Sequence, residues 1–88
     1  MLTTYLAKHL VKLVKTNNID FSKALELLKQ GAVMRRASWS GTKRIVLMAG
    51  STDLEILPYI GIVTKDGKFG VYTATNCDIL ADDWMRYC

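Results

Sequence analysis

Little in this 88-residue chain invites covalent or redox chemistry. It has two cysteines, Cys77 and Cys88, one histidine, His9, and one proline, Pro58. Two thiols are too few for a disulfide scaffold or a four-cysteine zinc site, so two reduced cysteines are expected. No apolar run exceeds the five residues 45–49, whereas a membrane-spanning helix needs about 20. The first residues lack the charged, apolar and small-residue regions of a signal peptide, and none is expected. The phosphate-binding and nucleophile motifs Gly-x-Gly-x-x-Gly, P-loop and Gly-x-Ser-x-Gly are missing. His9 has no acid, cysteine or second histidine three or four residues away to orient it or share a metal. Asp78, Asp82 and Asp83 are a possible cation cluster. However, neighbouring Asp82 and Asp83 would leave a helix on different faces, so a helix cap and solvated acids are expected instead. The residues alone therefore point to a binding module rather than an enzyme, with no metal and no cofactor.

Half the residues are hydrophobic and 23% are charged, a globular balance. Chain length predicts a single domain, with about 5,200 Å² exposed when folded against about 14,000 Å² unfolded. The net charge of +4 is unevenly spread. Residues 1–44 carry nine Lys/Arg and two acids, whereas residues 45–88 carry three and six. A basic half suggests nucleic acid or a self-complementary pairing of copies, against the default of a solvated surface. The acidic second half argues against nucleic acid.

Hydrophobic spacing predicts an amphipathic helix over residues 2–15, from Leu2, Leu6, Leu10, Leu13 and Val14, with Lys8, Lys12 and Lys15 opposite. The few lysines and the lack of Trp or Phe favour a packed or dimerising helix over a membrane-lying one. Asp20 is placed to cap a second helix over 21–30, striped by Phe21, Ala24, Leu25 and Leu28 and ended by Gly31. Short strands are then predicted at 32–36, 44–49, 54–56, 59–64, 68–73 and 84–87. Asp66-Gly67 marks a hairpin whose two central residues both take positive φ. Thr75 and Asp78 have capping-box spacing ahead of a short helix. The fold class is α+β: N-terminal helices, then a small antiparallel sheet with a short C-terminal helix. Residues 1–19 form an added helix and linker, and 20–88 the α+β domain.

Two clusters have binding chemistry. In Arg35-Arg36-Ala37-Ser38-Trp39-Ser40-Gly41, arginine can grip phosphate and a turn tryptophan can stack on a base. The plainer alternative is that Trp39 plugs the sheet edge and the arginines are solvated. In Tyr72-Thr73-Ala74-Thr75-Asn76-Cys77-Asp78, hydroxyls, an amide and a carboxylate meet free N–H groups at a helix start. The plainer alternative is that Thr75 and Asp78 only cap the helix.

In order along the chain, Phe21-Ser22-Lys23-Ala24-Leu25, Leu28-Lys29-Gln30-Gly31, Arg36-Ala37-Ser38-Trp39-Ser40-Gly41 and the run from Tyr72 through Asp78-Ile79-Leu80-Ala81-Asp82-Asp83-Trp84 resemble the second type of phage Thoeris anti-defence protein. Tyr72 stands where that family carries Trp, Ala74 where it carries Pro, and Thr75-Asn76 where it carries Ser-Gln. The resemblance implies a sponge in the host cytoplasm: a homo-oligomer, dimer or tetramer, that binds a cyclic ADP-ribose-type immune signal between protomers without cleaving it. Some relatives also hold cyclic oligonucleotides. On that reading Trp39 or Tyr72 stacks on the adenine, Arg36 meets phosphate, and Thr75, Asn76 and Asp78 bond ribose hydroxyls or the base edge. A ligand of about 35 heavy atoms at roughly −0.3 kcal/mol each allows about −10 kcal/mol, or tens of nanomolar. A protein-binding inhibitor or adaptor acting through the basic helix 2–15 is the alternative.

Overall fold

A computed structural model describes residues 16–87, and the expected helix at 2–15, His9 and Cys88 lie outside them. The described chain runs α1 (Phe21–Lys29), β1 (Met34–Arg36), β2 (Arg44–Met48), β3 (Tyr59–Val63), β4 (Phe69–Val71), α2 (Asn76–Leu80) and β5 (Trp84–Arg86). The α+β class is as expected. The five strands form one antiparallel sheet in the order β4-β3-β2-β1-β5, so the last strand returns beside the first.

Local chemistry sets the ends of α1. The Asp20 carboxylate accepts from the Lys23 N–H at 2.9 Å, satisfying a donor that the helix leaves free. At the other end the Ala32 N–H reaches the Leu27 carbonyl and the Gly31 N–H the Leu28 carbonyl, both at 3.0 Å. This is a Schellman closure, with Gly31 at φ +95°. The helix lays Ala24, Leu27 and Leu28 on a sheet face made by Met34, Ile45 and Trp84, with Ile19 and Ala32 completing the core. Each large side chain fully buried there contributes about 1.5–3 kcal/mol. The strand register places Ile45 opposite Met34 and Ile62, and Leu47 opposite Ile60, on this helix-covered face. The other face carries Val46, Met48, Tyr59, Val63, Phe69 and Val71. Phe69 and Val71 are 52% and 70% exposed.

Two turns differ from expectation. In the β3–β4 hairpin only Gly67 has positive φ, at +86°. The Gly67 N–H bonds the Thr64 carbonyl, and the Thr64 N–H bonds the Lys68 carbonyl. The connection is thus a three-residue loop, a type I turn closed by a left-handed glycine, and Asp66 keeps ordinary backbone angles. Residues 54–56, expected as a strand, are part of a turn. Ser51 and Ile56 exchange N–H···O bonds of 2.8 and 2.7 Å, closing the loop on itself before residue 54 can join the sheet.

Candidate ligand-binding site

The site is built around Asp78, which the fold buries although it is charged. Thr75 and Asp78 form the expected capping box. The Asp78 N–H donates to Thr75 Oγ1 at 3.1 Å, and the Thr75 N–H to Asp78 Oδ2 at 3.4 Å. The helix start is therefore capped by its own side chains. Three further contacts converge on the same residue. Arg36 Nη1 donates to Oδ1 at 3.2 Å, Tyr72 Oη to Oδ2 at 2.8 Å, and the buried Trp84 indole N–H to the Asp78 carbonyl at 2.9 Å. Arg36 Nε also donates to Asp83 Oδ1 at 2.8 Å. Asp83 is thus paired, contrary to the expectation of a solvated acid.

Electrostatics follow from these contacts. Burial works against the Asp78 carboxylate, but hydrogen bonds from Tyr72, Arg36 and Thr75 outweigh it and hold its pKa below the ordinary value. Arg36 does the same to Asp83 despite some desolvation. Its own pKa is raised, most of all by the bond to Asp83. Burial, reinforced by donation to Asp78, pushes the Tyr72 phenol up. Two carboxylates share one guanidinium, so this cluster is net negative. Arg35 is also engaged, with its side chain donating to the Arg36 and Trp39 carbonyls.

Trp39 joins this network to a second region. Its ring meets Trp84 edge-on at 5.3 Å and Tyr72 at 6.4 Å. Its plugging role against the core is therefore real, and it leaves the ring partly exposed. On the outer side the Lys43 ammonium lies 4.6 Å from the Trp39 centroid. There Ser38, Trp39, Ser40, Lys43, Thr64 and Lys65 line an open groove of about 390 Å³.

The fold therefore brings Arg36, Tyr72, Thr75 and Asp78 into one network with Trp39 against it. Asn76 stands exposed on the first turn of α2. Sequence reasoning did not single out Lys43, Thr64 and Lys65. Only the pairing of Arg44 with Val63 brings the 42–43 and 64–65 segments side by side. Among the described residues no group of acids, cysteines or histidines is arranged for a metal, and no helix is long and apolar enough to cross a membrane.

Comparison with known proteins adds two findings. A family model described as the Thoeris anti-defense 2-like domain matches residues 19–87. The chain is also similar to a protein named Thoeris anti-defense 2 from Bacillus phage SP01. The two are 31% identical over 81 residues, covering 75% of this chain and 91% of the phage protein.

Proposed function

This chain belongs to the Thoeris anti-defense 2-like family, and on that premise we propose that it is a phage protein that disarms Thoeris immunity in the host cytoplasm as a sponge. It binds a cyclic ADP-ribose-type signal, and in some settings cyclic oligonucleotides, and keeps the ligand intact. The observation that carries this reading is the groove at Trp39. An aromatic floor with hydroxyls and ammonium groups around it suits a base joined to phosphates. The site's carboxylates are spent on Arg36, Tyr72 and the α2 cap, an arrangement that supports holding a ligand rather than cutting it. Trp39 stacks on the base. Arg36, expected at the phosphate, has its Nε and Nη1 engaged by Asp83 and Asp78, and with Tyr72, Thr75 and Asn76 it is assigned instead to the polar edge that ribose meets.

An open groove on one chain leaves a side of such a ligand uncovered, so the working unit is a homo-oligomer, dimer or tetramer, whose protomers share the pocket. The exposed apolar sheet face supports such an assembly. Purified protein titrated with glycocyclic ADP-ribose should bind it in the nanomolar range, as the roughly −0.3 kcal/mol per atom of such ligands allows. Heating the complex should release unchanged ligand. Recovery of an opened product overturns the sponge reading.

A further inference from the structure

We propose that Lys43 and Lys65 form an anion clamp that takes the phosphates of the bound nucleotide, and that Lys43 shields the Trp39 ring until a phosphate draws it away. This rests on the sponge reading and assigns its charged subsite. The groove between the Trp39 turn and the β3–β4 hairpin is lined by two ammonium groups and the hydroxyls of Ser38, Ser40 and Thr64, with no carboxylate among the lining residues and the Thr64 hydroxyl engaged by Asp66. A phosphodiester or anhydride, which only accepts, is the ligand class such a lining fits.

Availability singles out these two lysines. Arg36 is bound by two carboxylates, and Arg35 is tied to the Arg36 and Trp39 carbonyls. Arg44 donates to the Thr42 carbonyl and lies over the Tyr87 ring. Neither Lys43 nor Lys65 is among the ion pairs of the described residues.

The two walls are also fixed to one another. The Thr42 hydroxyl lies 3.1 Å from the Thr64 carbonyl and 3.4 Å from that of Lys65. A Cβ on Gly41 would stand 3.3 Å from the Lys65 carbonyl oxygen, which shows how closely the two turns pack. The clamp is therefore set by backbone, and only the flexible ends of the lysines move.

Trp39 touches groups of opposite charge: the Lys43 ammonium over its ring, and Tyr72 with its net negative Arg36–Asp78–Asp83 partners. A bound nucleotide is oriented by that polarity, phosphates toward the lysines and the rest of the molecule toward Tyr72. The ring face near Lys43 is also the face a base needs. A ligand carrying base and phosphates together gives the ammonium a stronger partner and frees the ring. A nucleoside cannot do this and must displace the cation without compensation.

The test uses the full chain and the K43Q/K65Q double variant, with calorimetry and tryptophan fluorescence as readouts. The probes are glycocyclic ADP-ribose, adenosine and inorganic pyrophosphate. Lys65 is exposed and Lys43, half-buried, gives up only its contact with the Trp39 ring, so the double variant should fold and melt within a few degrees of the parent. Loss of two charge-assisted contacts should weaken glycocyclic ADP-ribose by on the order of 30-fold and abolish pyrophosphate binding, and K43R/K65R should restore most of both. Glycocyclic ADP-ribose bound equally by parent and double variant overturns the clamp and leaves the sponge reading standing. Pyrophosphate bound by the parent and lost in the double variant, with no nucleotide bound by either, supports the clamp and overturns the sponge. If the parent binds none of the probes, both fall.

Discussion

Asp78 is the residue on which most of the site's geometry depends, because its two carboxylate oxygens and its carbonyl fix Arg36, Tyr72 and Trp84. Asp78→Asn keeps the shape but weakens these charge-assisted bonds, and at pH 7 should cost about 1–3 kcal/mol of unfolding free energy in urea. The pH profile follows from the shifts. Asp78 and Asp83 lie below their ordinary 3.8, so their stabilisation is present above that value and fades as pH falls through their depressed values. Tyr72 is raised from 10.0, so its contribution holds below that pH and fades as pH climbs beyond it. Stability should be flat between about pH 5 and 9. The deficit of Asp78→Asn should shrink below about pH 4, where the unfolded parent's carboxylate takes up a proton while the folded one stays ionised down to its depressed value. A deficit that stays constant down to pH 2 contradicts this account. The cap role of Asp78 was legible in the Thr-x-x-Asp spacing. Its pairing with Arg36, 42 positions earlier, was not, because no local pattern encodes a contact made by the β1–β5 pairing.

At the scale of elements, legibility followed how local the determining interactions are. Helix α1 has its stripe, its cap and its glycine stop all between Asp20 and Gly31, and it was readable. Leu54-Glu55-Ile56 alternates like a strand, yet the Ser51–Ile56 exchange and Glu55 at φ +53° bend it into a turn. The lysine groove was invisible because it exists only once β2 and β3 pair. Two glycine substitutions separate the kinds of turn. Gly50 sits at φ +79°, and a Cβ there would meet the Ile56 carbonyl oxygen at 2.3 Å. Gly67 sits at φ +86° with open space around it. Gly67→Ala should cost about 1–2 kcal/mol from left-handed strain alone. Gly50→Ala should cost clearly more, about 3 kcal/mol, because backbone must also move. Equal thermal shifts for the two variants contradict the contact argument.

Across the whole molecule, the sheet has one face covered by α1 and one carrying exposed Phe69 and Val71. An exposed apolar face on so small a chain fits a protein completed by copies of itself. Val71→Lys changes a side chain that is 70% exposed, so the fold should survive with its melting temperature within about 3 °C of the parent. Light scattering should report a drop from several copies toward the 9.9 kDa single chain. An unchanged mass would place the protomer contact elsewhere.

Native mass spectrometry of the purified protein with glycocyclic ADP-ribose tests the central claim most directly. It reads copy number, ligand occupancy and ligand mass in one spectrum. The account predicts an oligomer of identical chains carrying ligand of unaltered mass, with occupancy sharply reduced in the K43Q/K65Q variant. A single bare chain at saturating ligand, or a complex carrying the mass of a hydrolysed product, would contradict it.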